Sequence, residues 1–90
     1  MSAARIAAIR ARLEAAFAPA QIDVIDDSAR HAGHVGARDG RGHFKVRIVS
    51  AAFAGMPPLA RHRAVYTALG ELLQTDIHAL QIEALLPTPQ

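Results

Sequence analysis

The segment His-Phe-Lys-Val-Arg-Ile-Val-Ser at residues 43–50 alternates polar and apolar side chains. Phe44, Val46 and Ile48 would share one face of an extended chain, because successive side chains of a β-strand point to opposite sides. The basic residues between them would share the other face. Residues 21–26, Gln-Ile-Asp-Val-Ile-Asp, show the same alternation. The pattern predicts two β-strands, each with one buried and one exposed face.

A long connection over residues 27–42 joins these two predicted strands. It contains four of the six glycines of the chain and two histidines, His31 and His34. A hairpin connection normally needs about two to five residues, so this length indicates a loop with a function of its own.

An amphipathic helix is predicted before the first strand, over residues 3–17. Its apolar residues recur at spacings of three and four, as on one face of an α-helix: Ile6, Ile9, Leu13 and Phe17. Pro19 ends this helix, because the residue before a proline is displaced from helical geometry.

A second helix is predicted from Pro58, a residue suited to the first helical position, to about Gln74. It follows a turn over residues 51–57. The predicted apolar face of the helix contains Leu59, Tyr66, Leu69 and Leu73, with Val65 and Leu72 beside them. Gly70 falls inside the helix and is interpreted as a point of close packing against the sheet, since a glycine there costs about 1 kcal/mol relative to alanine.

The last strand is predicted over residues 77–85, with His78, Leu80 and Ile82 on one face. The element order is therefore helix, strand, strand, helix, strand. A strand–helix–strand connection makes the third strand parallel to the second, with a right-handed crossover. The prediction is an α+β fold of two layers, a three-stranded mixed sheet with both helices on one face. The 90 residues form one domain, with an ordered core over about residues 3–86.

The composition narrows the classes of function. The chain has no cysteine, so it forms no disulfide and offers no thiolate nucleophile. It lacks a nucleophile elbow, a phosphate-binding loop and a zinc-protease motif, which favours a binding protein over an enzyme. No apolar run reaches the roughly 18 residues of a membrane span, and no signal-peptide core is present, so a cytoplasmic protein is expected.

The charge is unevenly distributed. The net charge is only +2, but residues 30–63 contain seven basic residues and one acidic residue. This segment favours an acidic or anionic partner. Lys45, Arg47, Arg61 and Arg63 could contact the phosphates of a nucleic acid, although charges at such spacings are more commonly a solvated face.

The histidines are the residues most open to a functional role. His78, on an apolar strand face, is by pattern more often a hydrogen-bonded core group than a ligand. His31 and His34 lie in the long loop, where a functional role is easier to accommodate. A metal site needs about four ligands, so any metal centre would require ligands from a partner.

Several segments, taken together, are similar to a known family: Asp-Asp-Ser-Ala-Arg-His-Ala-Gly-His at 26–34, His-Phe-Lys-Val-Arg-Ile-Val-Ser at 43–50, Leu-Ala-Arg-His-Arg-Ala-Val-Tyr at 59–66 and Ile-His-Ala-Leu at 77–80. In this order and spacing the chain resembles the BolA family over nearly its whole length. The resemblance implies the small KH-like αββαβ sandwich of that family, without the GxxG loop of KH domains.

The resemblance also implies a partner and a cofactor. Members of the family bind a monothiol glutaredoxin, and the pair shares a [2Fe–2S] cluster held by the glutaredoxin cysteine, a glutathione thiol and histidine. The C-terminal histidine ligand of the family matches His78. The second ligand, in the loop between the first strands, matches His31, with His34 as the alternative. A monomer that forms a heterodimer with its partner is expected. The alternative function is that of a DNA-binding transcriptional regulator of stress response and cell morphology.

Overall fold

The computed structural model describes residues 2–28 and 41–88. Its elements are helix α1 (Ser2–Phe17), strand β1 (Ala20–Asp26), strand β2 (Gly42–Ser50), a 3₁₀ turn (Ala51–Phe53), helix α2 (Pro58–Leu69), helix α3 (Leu72–Thr75) and strand β3 (Ile77–Leu85). The predicted order of two helices and three strands is confirmed, with α3 as a short addition. His31 and His34 lie outside the described residues.

The three strands form one sheet in the order β1-β2-β3. β1 pairs with β2 antiparallel, and β2 pairs with β3 parallel. The mixed sheet predicted from the strand–helix–strand connection is therefore confirmed. Because β2 is central, both of its neighbours satisfy its backbone hydrogen-bonding groups.

The core lies between one face of the sheet and the helices. It is built from the alternate apolar residues of the strands and the apolar stripes of α1 and α2: Ile9, Leu13, Phe17, Ile22, Phe44, Val46, Ile48, Phe53, Val65, Leu69, Leu72 and Ile77. Phe17 and Phe53 bring their ring centroids to 4.9 Å. Removal of this apolar surface from water is the main favourable contribution to folding. Among the described residues, the helices lie on one side of the sheet and do not cover the opposite face, which bears Lys45 and Arg47.

Helix α2 ends earlier than predicted. Gly70 has a φ of 55° and its amide donates to the carbonyl of Tyr66 at 3.0 Å, so it terminates the helix. Glycine is suited to this positive φ because it has no Cβ. The prediction of a continuous helix to Gln74 was wrong, and the short α3 occupies the remainder of that segment. The prediction that Gly70 lies inside the helix and packs against the sheet was also wrong, because the atom nearest to an added Cβ would be Nη1 of Arg12, on α1, at 3.3 Å.

The buried face of α2 also differs from the predicted one. Val65 and Leu69 are fully buried, whereas Leu59 and Tyr66 are 63% and 43% exposed. The sequence of α2 contains two overlapping apolar stripes, since Val65 and Tyr66 are adjacent. Packing against α1 and the sheet selects the stripe that contains Val65.

The described part of the chain, residues 2–28 and 41–88, contains no helix that is both long enough and apolar enough to cross a bilayer.

Candidate functional site

A β-bulge lies at the start of β3. Gly42 of β2 is aligned with Ile77, but the next residue, His43, is aligned with Ala79, so His78 is an extra residue in the ladder. The extra residue reverses the inside–outside alternation. Ile77 is therefore buried and His78 is exposed. The prediction that His78 shares the apolar face of Leu80 and Ile82 was wrong, because strict alternation does not pass through a bulge.

Gly42 makes the tight pairing opposite the bulge possible. A Cβ at this residue would lie 2.7 Å from the ring of Phe44 and 2.8 Å from Oγ of Ser28. The amide of Gly42 donates to the carbonyl of Asp76 at 2.9 Å, which attaches β2 to the residues immediately before the bulge. A side chain at residue 42 would therefore displace the groups that hold this end of the sheet.

Two further side chains surround His78. The imidazole rings of His43 and His78 have centroids 5.2 Å apart and planes inclined by 53°. The Nη2 atom of Arg41 lies 3.4 Å from Nδ1 of His78, and its Nη1 atom donates to the carbonyl of Leu73 at 3.5 Å. We call Arg41, His43 and His78 the histidine cluster. The cluster lies where β2 and β3 begin, at one end of the sheet.

The beginning of the 27–42 connection is anchored beside this cluster. Oγ of Ser28 accepts a hydrogen bond from the amide of His43 at 3.0 Å, and the amide of Ser28 donates to Oδ1 of Asp26 at 2.8 Å. The amide of Asp27 donates to the carbonyl of His43 at 2.7 Å. The chain therefore enters the segment that contains His31 and His34 from a fixed point next to His43.

Asp76, two residues before His78, has a lowered pKa. The main cause is the hydrogen bond from the hydroxyl of Thr75, with a further contribution from Arg5, whose Nε lies 3.2 Å from Oδ2 of Asp76. Burial acts in the opposite direction. The ionised carboxylate therefore links α1 to the residues that precede the bulge.

The histidine cluster does not by itself form a metal site. Among the described residues there is no group of three or more His, Asp or Glu side chains that could hold a metal ion, and the sequence contains no cysteine. Neutral imidazole is nevertheless a good ligand for iron. The exposed imidazole of His78 fits the role of one ligand to a cluster whose other ligands come from elsewhere.

The four basic residues predicted to contact nucleic acid do not lie together. Lys45 and Arg47 are on the uncovered face of the sheet, where Nε of Arg47 forms an ion pair with Oε1 of Glu83 at 3.0 Å. Arg61 and Arg63 are on α2, in the other layer. Arg61 is engaged internally: Nε donates to the carbonyl of Met56 at 2.8 Å and Nη1 to that of Ala84 at 3.0 Å. Its structural role is to attach α2 to β3.

A shallow depression of ≈ 360 Å³ extends from His43 along the uncovered face of the sheet, with Asp27, Lys45 and Gln81 among its lining residues. Of the residues at this end of the sheet, Lys45 was predicted from the sequence to have a role, whereas Arg41 and His43 were not. No local signal marks them, because their proximity to His78 depends on the parallel pairing of β2 with β3 and on the bulge.

The fold and the site define a small α+β domain with an accessible histidine at a strand bulge. The chain belongs to the BolA family: the family model described as BolA-like protein matches residues 13–89. This confirms the resemblance noted from the sequence.

Comparisons with individual proteins agree with this assignment. The chain is 46% identical over 81 residues to BolA-like protein 1 of Mus musculus, covering 90% of this chain and 57% of the mouse protein. It thus spans little more than half the length of that relative. It is 43% identical over 74 residues to the DNA-binding transcriptional regulator BolA of Escherichia coli (strain K12), covering 82% of this chain and 68% of that protein.

Among solved structures, the BolA domain of SufE1 from Arabidopsis thaliana superposes with a TM-score of 0.80 at 41% identity, covering 92% of each chain. The αββαβ fold is thereby confirmed. These relatives are named as BolA-like proteins, a BolA domain and a regulator, and none of these names is that of an enzyme.

Proposed function

We propose that this protein is a cytoplasmic adaptor in iron–sulfur cluster trafficking and iron regulation. It binds a monothiol glutaredoxin and shares a [2Fe–2S] cluster with it through His78. His31 is the proposed second ligand from this chain, with His34 as the alternative. The observation that supports the proposal most directly is the bulge that makes His78 an exposed residue at the end of the sheet.

The ligand chemistry favours sharing over independent binding. A [2Fe–2S] cluster has four terminal ligand positions, and this chain has no thiolate to offer. A glutaredoxin cysteine and a glutathione thiol would supply two sulfur ligands, and histidine would complete the set. When bound, such a cluster supplies one-electron redox chemistry, at a potential raised by the replacement of thiolate by imidazole. The protein is proposed to be a monomer alone and a heterodimer with its partner.

The test is reconstitution of the mixture with a monothiol glutaredoxin, glutathione, iron and sulfide, followed by visible absorption and circular dichroism. We expect a cluster spectrum that differs from that of the glutaredoxin alone and that reverts to it with His78→Ala. His62→Ala is the matched control, because His62 lies on α2 and is hydrogen-bonded to the carbonyl of Pro58. A spectrum unchanged by addition of this protein would refute the shared cluster, and a spectrum unchanged by His78→Ala would refute ligation by His78.

DNA binding is the second candidate function. It is favoured by the similarity to the Escherichia coli relative, which is named a DNA-binding transcriptional regulator, and by Lys45 and Arg47 on the uncovered sheet face. Binding through phosphates would weaken steeply as salt increases, and loss of each contact would reduce that dependence. The test compares the salt dependence of duplex affinity for wild type, Lys45→Ala and Arg63→Ala. Affinity that is insensitive to salt would argue against this function.

A further inference from the structure

The contact between Arg41 and His78 restricts the protonation of the imidazole. A guanidinium group has only hydrogen-bond donors and no acceptor. The 3.4 Å contact of its Nη2 with Nδ1 of His78 therefore requires Nδ1 to be the acceptor, with its lone pair directed at Arg41. In the neutral ring the hydrogen is then on Nε2.

This arrangement is incompatible with metal ligation at either nitrogen. A metal ion bound at Nδ1 would take the lone pair that now accepts from Arg41. A metal ion bound at Nε2 would require the ring hydrogen to be on Nδ1, which would direct an N–H group at the N–H group of Arg41. In both cases the guanidinium has to leave before His78 can act as a ligand.

Arg41 is also held on its other side. Its Nη1 atom donates to the carbonyl of Leu73, the second residue of α3, at 3.5 Å. Both contacts are long for hydrogen bonds, which places them among the weaker ones that a competitor can displace. The tilted ring of His43, 5.2 Å from that of His78, adds a neighbour to the same imidazole.

We propose that Arg41 is a displaceable cap on His78, a positioning residue that holds the imidazole in one tautomer and competes with metal for its nitrogen. In the protein alone, Arg41 then occupies Nδ1 of His78. Binding of a metal by His78 is therefore coupled to movement of Arg41. This inference rests on the role of His78 under the proposed function and adds the residue that regulates it.

The test uses the full chain without glutaredoxin. Nitrogen-15 shifts of the His78 imidazole report the tautomer in the metal-free protein, and titration with Zn²⁺ followed on the same resonances gives the affinity at that residue. Three variants are compared with wild type. Arg41→Met removes the donors and keeps the length, Arg41→Lys retains a donor, and Arg63→Ala removes a charge from exposed α2 surface.

We expect an Nε2–H tautomer in wild type and in Arg63→Ala, and a mixture of tautomers in Arg41→Met. We expect Zn²⁺ to bind His78 about three- to tenfold more tightly in Arg41→Met, the range given by loss of one competing hydrogen bond. Arg41→Lys should be intermediate. An Nδ1–H tautomer in wild type, or equal Zn²⁺ affinity in wild type and Arg41→Met, would overturn the inference.

These outcomes are distinct from those of cluster reconstitution. The tautomer and the Zn²⁺ affinity are measured without glutaredoxin, glutathione or sulfide. If no shared cluster forms, the tautomer and Zn²⁺ measurements still test the contact between Arg41 and His78. If those measurements contradict the cap, the result of the reconstitution is unaffected.

Discussion

The hydroxyl of Ser28 lies 2.8 Å from the point at which a side chain on Gly42 would begin, so the two residues share one small volume at the end of the sheet. That hydroxyl accepts a hydrogen bond from the amide of His43, the first residue after the register shift. The absence of a side chain at residue 42 thereby allows the connection from β1 to approach β2 beside the histidine cluster.

Gly42→Ala should destabilise the protein by about 1–3 kcal/mol, the usual cost of overpacking, because both Ser28 and the ring of Phe44 have to move. The measurement is urea unfolding of the wild type, Gly42→Ala, Ser28→Ala and the double variant. The double variant should be more stable than the sum of the single effects, since removal of the hydroxyl relieves part of the clash. Additive effects would show that the two residues do not share this space.

Gly70→Ala tests where α2 ends. If the helix ran through residue 70, alanine would stabilise it by about 1 kcal/mol. Because Gly70 has a φ of 55°, we expect destabilisation of about 1–2 kcal/mol. The sign of the change in the free energy of unfolding distinguishes the two arrangements.

Asp76 should make stability sensitive to acid. Its pKa is lowered in the folded protein, first by the hydrogen bond from Thr75 and then by Arg5. Its contribution is therefore present above the ordinary pKa of aspartate and is lost as pH falls through the lower, folded pKa. Asp76→Asn should cost no more than about 1 kcal/mol at neutral pH, as for a partly exposed ion pair, and nothing in acid. The measurement is the free energy of unfolding of the wild type and of Asp76→Asn from neutral to acidic pH, where the difference between them should disappear as the pH falls.

Arg61 and Arg63 should differ sharply in their effect on stability although they are two residues apart. Arg61→Ala leaves the carbonyls of Met56 and Ala84 without their guanidinium donor and should cost about 1–3 kcal/mol. Arg63→Ala, at an exposed position, should change stability by less than about 0.5 kcal/mol. Thermal denaturation of both variants provides the comparison, and equal effects would contradict the structural role of Arg61.

Local patterns were sufficient to predict most of the elements. The alternation over residues 43–50 and 21–26 predicted β2 and β1, and the stripe from Ile6 to Phe17 predicted α1, because period-2 and period-3.6 patterns are properties of neighbouring residues. The parallel pairing of β3 with β2 followed from the single helical crossover between them. The likeness to BolA proteins added the expectation that His78 is a functional residue.

The position of that histidine and its neighbours was decided only in the folded chain. An extra residue in β3 breaks the alternation and makes His78 exposed, and the sheet register brings Arg41 and His43 to it. Likewise, packing selected Val65 over Tyr66 as the buried side of α2. A hydrophobic pattern indicates which residues of one element can face a core. Strand register, bulges and the rotation of a helix about its axis are set by contacts between elements that are distant in sequence. The physical reason is that each element offers several nearly equivalent faces, and only mutual packing and hydrogen bonding choose among them.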